Sequence, residues 1–253
     1  MFSPFDLPPG ILLLVTDQLS SPADFVLHRA LIDHLKATKS NTKTKVIVLS
    51  VSEDLARWKA IAAKSNLHLD QQSASGAFTF IDVLERVCPP NTDADSSIAP
   101  RPILLPILDA MASALGPPDT GHDTLVIMDD LAALDWLGFP VLDVTRFCRA
   151  LHAMCRKANA TLLLRQHVLT PSAADPILDD LFRALRQMCT YHLEVLPLTS
   201  GRSGAVSGQV ALHAGPGMLR SGVKLLPRSS ALQYKLTDGG AVFFERGMGA
   251  GVL

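Results

Sequence analysis

"LLLVTDQLSSPADFVLHRALIDHLK", residues 12–36, runs from an unbroken apolar stretch through a short polar turn into helical periodicity. Residues 11–17 read as a strand buried on both faces, because the run is continuously apolar up to its last two positions. Residues 20–36 read as a helix. Ser20 or Ser21 can cap it, Pro22 suits its first turn, and Phe25, Leu27, Leu31, Ile32 and Leu35 supply an apolar stripe. Strand, turn and helix in this order open many nucleotide-binding domains, whose turn wraps phosphate. A phosphate loop of the form GxxxxGK[ST] uses glycines because its backbone N–H groups must turn inward. Its lysine neutralises charge and its Ser/Thr holds Mg²⁺. The turn Asp17-Gln18-Leu19-Ser20-Ser21-Pro22-Ala23-Asp24 has neither glycine nor lysine. Pro22 removes a donor, and Asp17 and Asp24 put negative charge where phosphate would lie. Asp17, Ser20, Ser21 and Asp24 therefore mark a degenerate phosphate-loop position, and no cofactor is expected there.

Working outward, strand-like and helix-like runs alternate. Strands are expected at 45–51, 78–81, 124–128 and 161–164, and helices at 54–65, 103–115 and 141–157. The last helix carries Val144, Phe147, Cys148, Leu151, Met154 and Cys155 at helical spacing, with Arg146, Arg149, Arg156 and Lys157 on the other side. Asp175-Pro176 reads as the start of one more helix, whose Leu181, Phe182, Leu185 and Met188 face inward. Residues 89–102, with four prolines, read as an exposed mobile connection. After Thr190 short strands follow at 191–197, 209–213, 222–227, 233–236 and 241–245, with Asp238-Gly239-Gly240 as a hairpin turn. This order predicts one α/β domain over 1–253, with a mostly parallel sheet, helices on both faces and an antiparallel extension over about 190–253.

LVIMDD, residues 125–130, has the form of a Walker B strand, whose Asp holds Mg²⁺ through water. Asp129 and Asp130 are its candidates, although either could simply cap the following helix. Taken with the turn at 17–24, the pattern is a RecA-like, P-loop-type fold without a competent nucleotide site. The rival readings are an active P-loop ATPase with an atypical loop and a Rossmann-type enzyme acting on a small molecule. Both need donors in the first turn, where this chain has a proline and two carboxylates.

Other chemistry is sparse. There is no GxSxG, HExxH or EF-hand pattern, and the glycine-rich residues 247–251 have no helix after them. Cys88, Cys148, Cys155 and Cys189 form no CxxC pair and have no zinc-ligand spacing, so no metal is expected. Apolar residues make up 48% of the 253, charged residues 19%, and the net charge is −1. That balance supports a large core and gives no global drive toward nucleic acid or anionic membrane. No run approaches the roughly 20 apolar residues of a membrane span, and the expected location is cytosolic or nuclear.

The chain resembles the subunit-six family of the Elongator complex, a member of its accessory trio without Walker motifs. The resemblance rests on the opening stretch and on the tail: Gln233-Tyr234-Lys235-Leu236 with Asp238, Phe243-Phe244 and Gly247-Met248. LVIMDDLAALDWLG, residues 125–138, with Asp143-Val144 and Phe147-Cys148-Arg149, supports it. The resemblance implies a non-catalytic role in a hetero-hexameric ring with Elongator subunits four and five. It also implies docking on the Elongator core, and tRNA binding through the ring in support of wobble-uridine modification. Candidate tRNA or ring-interface contacts are Arg165 and His167, after the 161–164 strand, and the basic residues Arg202, Arg220, Lys224 and Arg228.

Overall fold

The computed structural model describes residues 7–37, 43–87, 103–117, 121–168, 180–198, 206–218 and 222–245. Its strands are β1 (Leu12–Asp17), β2 (Lys43–Ser50), β3 (Phe78–Asp82), β4 (His122–Met128), β5 (Thr161–His167), β6 (Tyr191–Leu196), β7 (Gly208–Ala214), β8 (Leu232–Thr237) and β9 (Gly240–Phe244). The helices are α1 (Asp24–Lys36), α2 (Leu55–Lys64), α3 (Leu69–Ala74), α4 (Val83–Val87), α5 (Leu105–Leu115), α6 (Ala132–Trp136), α7 (Val141–Lys157) and α8 (Asp180–Met188), with a 3-10 turn at Arg228–Ser230.

Among the described residues all strands join one sheet in the order β3-β2-β4-β5-β1-β6-β7-β8-β9. From β3 through β6 the pairings are parallel, and β7, β8 and β9 are added antiparallel. The expected fold class holds, including the antiparallel extension. β1 is buried at every position, as its apolar run requires. Its alternate residues feed two cores. Leu13 and Val15 pack with Leu27, Leu31 and Trp58 of α1 and α2, while Leu12 and Leu14 pack with Ile107, Phe147, Leu151 and Leu185 of α5, α7 and α8. The predicted stripe of α7 is the face that is buried.

Several boundaries differ from the sequence reading. α1 begins at Asp24, and neither Ser20 nor Ser21 caps it; its N-cap is Ala23, with no side-chain cap. β5 continues to His167, so Arg165 and His167 lie on a strand and not in a loop. Residues 222–227 form only a single bridge, Leu226 to Leu212. The connection 89–102 and the helix start at Asp175-Pro176 fall outside the described residues. Among those residues no helix is long and apolar enough to cross a membrane.

Candidate functional site

In an open parallel sheet the carboxyl ends of the strands form the crevice where ligands bind. β1, β2, β4 and β5 here bring Asp17, Ser50, Asp129-Asp130 and His167 to that edge, and Arg165 lies two residues inside it. The crevice is filled by the protein's own charges. Asp17, fully buried, accepts the Ala23 N–H at 2.6 Å and Arg165 Nε at 3.0 Å on Oδ2, while its Oδ1 lies 2.7 Å from His167 Nδ1. Its carboxylate thus takes the inward-pointing amide that a phosphate loop would offer to its ligand.

Arg165, 3% exposed, supplies the countercharge. Nη2 lies 2.9 Å from Asp17 Oδ2 and 3.0 Å from His167 Nε2, to which it donates when that ring is neutral. Nη1 lies 2.6 Å from Asp24 Oδ1 and donates to the Asp129 carbonyl at 3.3 Å. A guanidinium has five N–H donors on three nitrogens, and each of the three nitrogens is engaged within the chain, by hydrogen bonds to Asp17, the Asp129 carbonyl and His167 and by ion pairing to Asp17 and Asp24. Burial pushes the Arg165 pKa down, but Asp17 and Asp24 outweigh it and the net shift is upward. Contact with Asp17 likewise raises His167 against the cost of burial.

The Walker-B-like pair is equally occupied. Asp129 receives the Ser50 hydroxyl, the Val51 N–H at 2.7 Å and the Ser52 hydroxyl at 3.3 Å. Burial nevertheless pushes its carboxyl up to about 6. Asp130, one residue before the α6 N-cap Leu131, accepts the Ala133 N–H of the first turn at 3.2 Å, and burial raises it too. Among the described residues no group of three or more His, Cys, Asp or Glu side chains is arranged to hold a metal ion.

Ser21 turns away from the crevice. Its hydroxyl lies 2.8 Å from the Tyr234 hydroxyl of β8, and the Phe25 ring packs against that ring at a tilt of 32°, 4.6 Å between centroids. The opening stretch and the tail, which together carried the resemblance, meet in space. Ser20 is exposed. Of the basic candidates, Lys224 is exposed, Arg228 is bound to Glu194 at 2.7 and 2.9 Å, and Arg202 and Arg220 lie outside the described residues.

The sequence reading missed Trp136, 65% exposed, whose ring stacks parallel to His167 at 6.3 Å. It also missed Ser50 and Ser52, which belong to the site only because β2 neighbours β4 in the sheet. Polar residues at the end of an apolar strand were the available signal.

A family model described as "Elongation complex protein 6" matches residues 1–238. "Elongator complex protein 6" of Danio rerio is 26% identical, over 99% of this chain and 96% of its own length, and that of Homo sapiens is 25% identical over 96% and 93%. The fold is similar to that of a KaiC-like protein from the hyperthermophilic archaeon Pyrococcus horikoshii OT3. The TM-score is 0.62 over 94% of this chain and 91% of that one, at 8% identity. The fold is thus RecA-like, as expected from the sequence.

Proposed function

Because the chain belongs to the Elongation complex protein 6 family, we propose that it is a non-catalytic subunit of the Elongator complex. In this reading it sits in a RecA-like hetero-hexameric ring with subunits four and five, and that ring supports modification of the tRNA wobble uridine. The observation that carries the non-catalytic part is the closure of the β1–α1 turn. An ATPase needs inward amides and a free cation there, whereas Asp17 takes the Ala23 amide and the buried Arg165 is paired with Asp17 and Asp24. The frame of the loop still packs α1 on the sheet through Leu27 and Leu31, a role that does not depend on nucleotide. Affinity purification of the full chain from its own cells, with quantification of bound proteins, tests the assembly. Subunits four and five in equal amounts are expected. Recovery of the chain without them would overturn the reading.

A further inference from the structure

The sheet departs from its apolar pattern on one face of β6 and β7. Tyr191, Leu193 and Val195 of β6 point into the first core, as do Val210 and Leu212 of β7. Alternation turns His192, Glu194 and His213 to the opposite face, where the register sets His192 beside His213. His192 and Glu194 are only 5% and 8% exposed, although neither is apolar. Burying such groups costs stability unless they are bonded, and both are. His192 Nε2 lies 2.7 Å from Thr16 Oγ1, while Glu194 is gripped by Arg228 and lies 2.7 Å from His213 Nε2. Burial pushes His192 down to about 4, so at neutral pH it presents an uncharged ring.

The strip is walled by α8 on one side and by Pro227 and Arg228 on the other. Two adjoining hollows of 220 and 630 Å³, both open to solvent, share Phe182, Arg186, His192 and His213. The rings succeed one another, Phe182 to His192 at 5.7 Å and His192 to His213 at 5.7 Å. The Arg186 guanidinium lies 5.6 Å over the Phe182 ring. Among the described residues Arg186 has no carboxylate partner, and Arg183 has only the exposed Asp180 at 3.4 Å.

We propose that this shelf holds one unpaired nucleotide of an RNA strand, with the base among Phe182, His192 and His213 and its phosphate on Arg186 and Arg183. Successive rings beside a guanidinium are the means by which proteins take splayed-out bases. An acidic or phosphorylated peptide would use the cations and leave the rings idle. The open sides suit a strand that enters and leaves, in contrast to the enclosed site of a free mononucleotide. The inference deepens the tRNA reading above and rests on it.

The test uses the purified assembly containing the full chain, with a short single-stranded RNA carrying thiouridine, whole tRNA, uridine monophosphate and a phosphopeptide as probes. Photo-crosslinks are expected in α8, β6 or β7. Phe182→Leu and Arg186→Gln should each weaken the single-stranded RNA about tenfold, and Arg186→Gln should also reduce the salt slope by about 0.7. Crosslinks elsewhere, with both variants still binding as wild type, would sink the shelf and leave the tRNA reading standing. An assembly that binds no tRNA would end both. Competition by uridine monophosphate at the RNA's own concentration would mean a mononucleotide site, and equal competition by the phosphopeptide an anion site; either result overturns the proposal.

Discussion

Every nitrogen of the Arg165 guanidinium is engaged inside the chain, and Asp17 is fully buried. Removing one partner of such a pair strands the other charge, at a cost of about 3–5 kcal/mol. Arg165→Ala should therefore lower the urea-unfolding stability of the full chain by that amount, and adding Asp17→Ala should restore much of it. A single-variant loss below about 1 kcal/mol, the level of an exposed pair, would deny the cluster its role. Asp129, Asp130 and His167 link stability to pH, the two carboxyls in one window and the imidazole in another. Asp129 holds its proton more tightly folded than unfolded, so its contribution falls as pH rises from about 3.9 to about 6. The raised His167 contributes fully below its unfolded value of about 6.5 and loses that contribution as pH passes its higher folded value. Asp129→Asn should lessen the fall in stability between about pH 3.9 and 6, and His167→Gln the fall above about pH 6.5. A His167→Gln profile parallel to wild type above about pH 6.5 would remove the histidine from the account.

The turn between β1 and α1 shows which features of an element can be read locally. The strand and the helical stripe are written in consecutive residues, and both formed as expected. The helix start was misjudged by four positions, because the Ala23 N–H is taken by Asp17 and the Ser21 hydroxyl by Tyr234, 213 residues away. No local pattern carries that pairing. Likewise β5 extends through Arg165 because its neighbour β1 continues alongside, pairing Val15 with Arg165 and Asp17 with His167. Tyr234 is held from behind by Gly208, where an added Cβ would lie 2.7 Å from the Tyr234 hydroxyl oxygen and 2.8 Å from the Leu196 carbonyl. Gly208→Ala must displace the ring, and Tyr234→Phe removes its hydroxyl, a loss of about 1 kcal/mol. Both variants should speed amide hydrogen exchange over residues 18–23 while leaving α7 protected. Unchanged exchange there would mean that the tail does not brace the turn.

At the scale of the whole molecule, alternation of strand and helix was enough to predict the RecA-like sheet, since buried parallel strands and amphipathic helices announce themselves. The crevice was half legible. Asp17, Asp24, Asp129 and Asp130 were named from two turns, but their satisfaction depends on strand order, which brings Arg165 and Ser50 beside them. Large apolar side chains stand uncovered at this same end of the sheet, with Leu19 74% and Trp136 65% exposed. On the proposed function they meet neighbouring subunits. Trp136→Glu should cut recovery of the partner subunits severalfold in affinity purification without altering the chain's own unfolding, and full recovery would show that this end faces solvent in the assembly. The central claim, a crevice closed by its own charges, is tested most directly by titrating Mg-ATP onto the purified full chain by calorimetry. The account predicts no saturable heat up to millimolar nucleotide. Micromolar binding abolished by Asp129→Asn would contradict it.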